Sequence, residues 1–192
     1  MKNKILFFII LALAISIPCY TKEISIRKLA EFEEYQGYFH LAGNGFVSVS
    51  NEKGITHYVW DKKQNDFKKT NHKPQILYLD LPRLQPQKND RTTSLLNIWN
   101  SRFGGVIVCK LIIPAPKLPS RIDPNRDFYI EFIWNGKNVF KSKMMNGVVE
   151  KFLGVDLTKD SEKEVFLEYV GVGGSGFTST LVIFKVDPGV LQ

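Results

Sequence analysis

The stretch EYVGVGGSGFTSTLVIF occupies residues 168–184, and its glycines at 171, 173 and 176 spell G-x-G-x-x-G directly behind an apolar run. In a dinucleotide-binding unit such glycines join a strand to a helix, and the helix N-terminus receives the pyrophosphate. Here FTSTLVIFKV (177–186) comes next instead. It alternates with a period of two and is rich in Thr, Val, Ile and Phe, which is the pattern of a strand. Only sixteen residues remain after Gly176, too few to complete a βαβ unit. The lysine of a phosphate-binding loop is missing, and Phe177 stands where a G-x-S-x-G nucleophile elbow needs its last glycine. The glycines therefore connect two strands, where positive φ comes without a Cβ penalty. Loops of this kind on a β scaffold also serve as contact points for partners.

The same pattern extends in both directions. FYIEFIW (128–134) ends at Asn135-Gly136, a pair suited to a tight hairpin, and Asn146-Gly147 repeats that signal. VVEKFLGV, EVFLEYV, QILYLDL, GGVIVCKLII and EISIRKL read as further strands, and GFVSVSNEKGITHYVW (45–60) reads as a hairpin turning at Asn51 and Gly54. One segment, TTSLLNIWNSRFGG (92–105), places Leu95, Leu96, Trp99 and Phe103 near one face of a short helix capped by Thr93 and ended by Gly104, with a strand as the alternative. YVWDKKQNDFKK (58–69) and FIWNGKNVFKSK (132–143) echo one another as a repeated hairpin would. The fold expected is all-β and mainly antiparallel, a β-sandwich or a small propeller-like repeat with at most one short helix. The Pro-rich stretch IPAPKLPSRIDP (113–124) divides two halves. It is read as a loop within a single domain over 17–192, because the roughly 65 residues beyond it make a marginal domain alone.

The N-terminus, MKNKILFFIILALAISIPCYTKE, has a basic start at Lys2 and Lys4 and an uncharged apolar run from Ile5 to Ile17. That run is shorter than the roughly 20 residues of a membrane span. It reads as a signal peptide over 1–16, cut after Ser16 with Ala14 as the second small residue. Export to the periplasm, outer envelope or exterior is expected, with no transmembrane span in the mature chain. Cys19 offers a lipid-anchor reading, from which Pro18 in the preceding position departs. Cys109, inside GGVIVCKLII, is expected to be a buried thiol, and the sequence leaves open whether the two cysteines pair. The net charge of +7 is spread along the 192 residues rather than clustered, as solvated faces and strand edges are. Together with export, this excludes nucleic acid as the expected partner.

Candidate chemistry is sparse. The loop DLTKDSEKE puts oxygen-bearing side chains of Asp156, Thr158, Asp160 and Glu164 at positions one, three, five and nine, a spacing able to wrap a hard cation. The stretch VDLTKDSEKEVFLEYVGVGGSG (155–176) resembles the calcium loops of integrin-type FG-GAP and VCBS repeats, in which D-x-D-x-D-G-x-x-D precedes an apolar strand. The resemblance covers about twenty residues. It implies calcium as cofactor, with Asp156, Asp160 and Glu164 as ligands and Thr158 as a weaker fourth. Thr158, Ser161 and Glu164 stand where those repeats carry Asp, Gly and Asp. Asp123, Asn125, Asp127 and Glu131 repeat the spacing ahead of a strand. His40, His57 and His72 lack zinc-ligand spacing, and Ser175 has no histidine or acid placed beside it. Glu33 and Glu34 are adjacent, so a strand points them to opposite sides. Tyr35, Tyr38, Phe39, Tyr58 and Trp60 form an aromatic group suited to a sugar or a peptide where exposed, and to the core where buried. The function expected is that of an exported binding or interaction module for a protein or glycan. The alternatives are a secreted hydrolase assembled from distant strands and a calcium-stabilised structural domain.

Overall fold

The computed structural model describes residues 24–42, 45–74, 92–100, 105–114, 126–160, 162–173 and 176–188. The leader at 1–16, Cys19, the expected strand at 75–81, Phe103, Gly104, most of the Pro-rich segment, Asp123, Asn125 and Ser175 lie outside these residues. Twelve strands are described: β1 (Ile24–Tyr35), β2 (Tyr38–Ala42), β3 (Phe46–Asn51), β4 (Gly54–Asp61), β5 (Asp66–Thr70), β6 (Thr92–Asn100), β7 (Gly105–Ile113), β8 (Arg126–Trp134), β9 (Lys137–Lys141), β10 (Met145–Val155), β11 (Glu164–Gly173) and β12 (Gly176–Pro188). The larger sheet runs β1-β12-β11-β10-β8-β7-β6 with β9 added at β8, and the smaller runs β2-β3-β4-β5. Every pairing is antiparallel. The fold is an all-β sandwich. Among the described residues no helix is long and apolar enough to cross a membrane.

Two expectations need correction. Residues 92–100 of the segment expected as a helix form β6, which pairs with β7 from Thr92 opposite Ile113 to Asn100 opposite Gly105. Pairing satisfies the backbone of the apolar β7, and Thr92, Thr93, Ile98 and Trp99 suit a strand better than a helix. The propeller-like alternative also falls. The two echoing hairpins are β4–β5 and β8–β9, but they lie in different sheets with different neighbours, so they do not repeat a unit. Asn135-Gly136 does form a tight turn, with φ of 48° and 76°. Asn146-Gly147 instead lies inside β10, where β10 leaves β11 and pairs with β8 through Met145–Gly147. The large sheet bends at this corner. A Cβ on Gly147, at φ 154°, would lie 2.8 Å from the Val170 carbonyl oxygen, so only glycine fits.

Bending doubles the large sheet over itself and places β11 and β12 in the middle of the molecule. Val165, Leu167, Val182 and Phe184 point to one side, against Ile107, Leu111, Phe128, Ile130 and Phe132 of β7 and β8. Phe166, Leu181 and Ile183 point to the other side, against Phe39, Leu41, Val47, Val49 and Phe67 of the small sheet. Burial on both faces explains the unbroken apolar run LVIF in β12, which a half-exposed strand would interrupt with polar residues. Strand alternation then sends Lys185, Glu164 and Glu168 to the small-sheet side, because they share parity with Ile183 and Phe166. Lys151 on β10 joins them. The apolar plug between the sheets therefore carries buried charge at each end.

Candidate functional site

A pocket borders each end of the inter-sheet layer. The larger, of about 390 Å³, is lined by Tyr38, Glu150, Lys151, Glu168, Val170, Val172, Gly173, Gly176 and Phe177. Three local features build it. The β11–β12 hairpin brings Phe177 opposite Val172 and Gly173 opposite Gly176. Gly176 has φ 151°, and a Cβ there would lie 2.7 Å from the Tyr35 hydroxyl, so the bare glycine lets the hairpin close over that ring. The turn after β1 is tied to the same hairpin: Gln36 N–H donates to the Phe177 carbonyl (2.9 Å), and Ser179 Oγ donates to the Gly37 carbonyl (2.6 Å). This brings Tyr38, first residue of β2, over the pocket, with its ring 5.4 Å from that of Phe177 at a tilt of 46°. Finally, a bulge at Glu150 interrupts the β10–β11 register between Val149 and Lys151. The extra residue breaks strand alternation, so consecutive Glu150 and Lys151 both border the pocket.

The pocket floor is an ion pair. Lys151 Nζ lies 2.7 Å from Glu168 Oε2, and the Glu168 side chain is 2% exposed. Both also serve the edge of β2: the Phe39 N–H donates to Glu168 Oε1 (3.4 Å), and Lys151 Nζ donates to the Phe39 carbonyl (3.1 Å). The two side chains thus occupy the hydrogen-bonding role of a neighbouring strand where the small sheet ends. Glu168 Oε2 is buried, and the Lys151 ammonium is its close partner. Nearby, burial lowers the His40 pKa, Lys151 lowers it further and Glu168 opposes the shift.

The other end of the layer holds the residues assigned to calcium by resemblance. Thr158, Asp160 and Glu164 do converge, and the point of convergence is the ammonium of Lys185. Its Nζ lies 2.9 Å from Thr158 Oγ1 and 3.1 Å from Glu164 Oε1, and it pairs with Asp160 Oδ2. Glu164 is fully buried, and its carboxylate also accepts from Leu157 N–H (2.7 Å) and Thr158 Oγ1 (2.8 Å). Asp156 is exposed, and its Oδ1 accepts the Asp160 N–H at 3.3 Å. An ammonium thus stands where the resemblance puts a metal ion, and the loop is ordered by hydrogen bonds to carboxylates. Burial pushes the Glu164 pKa up against the bonds from Thr158, Leu157 and Lys185. At Asp160 burial is outweighed by Lys185, and the pKa is lowered; at Lys185 burial is outweighed by the two carboxylates, and the pKa is raised. A polar cavity of about 260 Å³ borders this cluster beside Trp60 and Arg27.

The remaining candidates are dispersed. Asp127 and Glu131 lie on β8, where Asp127 accepts from Asn146 Nδ2 (2.9 Å) and Glu131 faces Lys141 (3.7 Å). Among the described residues no group of three or more His, Cys, Asp or Glu is placed to hold a metal. The small sheet carries two serine–histidine contacts, His40 Nε2 to Ser50 Oγ (3.0 Å) and His57 Nδ1 to Ser48 Oγ (2.7 Å). Ser48 is wholly buried, so its hydroxyl has no approach to a substrate carbonyl. His72 is exposed just past β5. Glu33 is exposed, and Glu34 accepts from Asn51 Nδ2 (2.6 Å). Cys109 is buried, and desolvation raises its pKa.

The aromatic group divides. Tyr35 and Tyr38 are about half exposed, whereas Phe39 is buried, and Tyr58 and Trp60 pack against Phe32 and Phe67. Sequence reading missed Lys151, Glu168, Glu150 and Phe177. A signal was present: Glu164 and Glu168 fall on one face of a strand otherwise apolar there, and a buried charge requires a partner. Comparison with known families, curated proteins and solved structures finds no match to this chain.

Proposed function

We propose that the chain is an exported binding module that holds a protein or glycan partner in the pocket beside the β11–β12 hairpin. The observation that carries this reading is the Tyr38–Phe177 ring pair at the rim of the pocket, above a buried ion pair. Tyr38 and Val172 are exposed there, and the sandwich core is complete without them. Covering such a patch is a typical source of binding free energy, with tyrosine among the residues that contribute most. The hydrophobic leader at 1–16 supports export.

The test is capture of the processed chain on arrays of short peptides and oligosaccharides, beside Tyr38→Ala and Phe177→Ala. Ligands whose signal falls in both variants support the reading; signals that survive both overturn it. N-terminal sequencing of exported protein is expected to begin at Ile17. Protein retained in the cytoplasm with its first residues intact would overturn the export half.

A further inference from the structure

We infer that Lys185 and Asp160 are the precursors of an intramolecular amide cross-link that the folded chain forms by itself, with Glu164 as the proton relay. The inference is independent of the pocket beside the β11–β12 hairpin. Three observations converge at the other end of the layer. The Lys185 ammonium is in direct contact with Asp160 Oδ2, and Lys185 is only 8% exposed, so amine and carboxylate meet largely out of water. A third group stands beside them: Glu164 Oε1 lies 3.1 Å from Lys185 Nζ, and Glu164 is fully buried. Burial makes a carboxylate a stronger base, suited to take a proton from the ammonium. Asp160 Oδ1 meanwhile accepts the Glu162 N–H at 3.1 Å, which holds that oxygen and polarises the carbon. By contrast, the lysines of the pairs Lys68–Asp61 and Lys141–Glu131 are about half exposed, and hydration keeps them charged.

The step is a condensation. Glu164 takes one proton from the Lys185 ammonium. The freed Nζ lone pair attacks Cγ of Asp160, and the C–N bond forms. The bond from Cγ to Oδ2 breaks, and the oxygen leaves as water with the proton returned by Glu164 and a second proton from Nζ. The amide keeps Oδ1 and one N–H, Glu164 ends as it began, and no oxidant or other reactant is consumed. Well-oriented groups within one molecule reach effective concentrations of roughly 10⁵–10⁸ M, which carries a condensation forward in the presence of water. Two charges also leave the interior, and their desolvation cost goes with them. The polar cavity beside Asp160 and Lys185 gives the released water an exit. The link ties the loop ahead of β11 to β12.

The test is intact-mass measurement of the processed, folded chain, incubated at neutral pH and then denatured and reduced. The wild type is expected to become one water lighter than its sequence, and a protease digest should yield a branched peptide joining Asp160 to Lys185. Lys185→Arg keeps the charge but offers no amine, and it should hold the full mass. Asp160→Ala should do the same, and its partly exposed position keeps this control informative where Lys185→Arg disturbs folding. Glu164→Gln should lose water at least about a hundredfold more slowly, the usual contribution of a positioned proton-transfer group. Full mass in the wild type after prolonged incubation overturns the inference. A water loss that persists in Lys185→Arg also overturns it, because it marks cyclisation of Asp160 onto its own backbone. Loss from Glu164→Gln at the wild-type rate overturns the relay. Chain of full mass carries the ion pair, so mass separates the two forms before either is melted.

Discussion

Replacing Lys185 with methionine tests the buried cluster around Glu164 and Asp160. Methionine keeps most of the volume and removes the charge. Glu164 is fully buried, and in the variant it retains Leu157 N–H and Thr158 as donors but no cation. Leaving one partner of a buried pair uncompensated costs about 3–5 kcal/mol. At roughly 2–4 °C per kcal/mol for a chain of this size, Tm should fall by about 10 °C. The penalty should depend on pH. The folded pKa of Glu164 already lies above its ordinary 4.5, so its contribution to stability is full below that value and is lost as pH rises through the folded pKa. Losing Lys185 raises that pKa further. The shift at Asp160 runs the other way: its contribution is present above the ordinary 3.8 and is lost as pH falls through the lowered folded value, and it vanishes with Lys185. Acidification from neutrality therefore helps the variant through Glu164 and removes the advantage of the wild type through Asp160, so their Tm values should converge. Adding Glu164→Gln to the variant should restore most of the loss, because a neutral pair leaves no buried charge. Thermal melts of the three proteins across the acidic range decide the matter. A loss below about 1 kcal/mol would be that of an ordinary surface pair. That result, a gap constant with pH, or a double variant as unstable as the single one would refute the reasoning.

Calcium should leave the wild-type melting temperature unchanged relative to a chelator, because a ligand stabilises only a site it can occupy and the Lys185 ammonium fills this one; a clear calcium-dependent rise in thermal shift would contradict that. Gly147→Ala should destabilise by about 1–3 kcal/mol in urea unfolding, since positive φ and the nearby Val170 carbonyl both oppose a Cβ, and an unchanged midpoint would count against the corner. Cys109 should resist alkylation in the native protein and react once unfolded, because burial both shields the thiol and disfavours the thiolate; rapid native labelling would show otherwise. Tyr38→Ala should change stability by no more than about 0.5 kcal/mol for an exposed side chain, while abolishing capture of the ligand.

Local pattern was enough to establish a great deal about this chain. Period-two alternation, β-branched and aromatic enrichment and turn dipeptides marked most of the strands, because each depends only on neighbouring residues. The glycine run was legible as a hairpin for the same reason: the residues from Gly176 onward form a strand. The clustering of Thr158, Asp160 and Glu164 was also legible, since a short loop brings them together in any fold that closes it. The group at their centre was not. Lys185 lies more than twenty residues away, and only the β11–β12 pairing lays it beside Glu164.

Long-range placement settled everything else. The 92–105 stretch carries aliphatic spacing compatible with a helix as well as β-branched residues that suit a strand, and pairing with β7 decides for a strand over Thr92–Asn100. Asn146-Gly147 reads as a turn but serves as a corner between two neighbours, which depends on where β8 lies. The pocket draws Tyr38, Lys151, Glu168 and Phe177 from four strands, and the place of both Glu150 and Lys151 in its lining depends on a bulge that shows only when β10 is laid against β11. Sequence periodicity fixes which way a side chain points relative to its own strand. The surroundings it meets there are set by tertiary packing, and so is whether a tyrosine ends in the core, as Tyr58 partly does, or at the mouth of a pocket, as Tyr38 does.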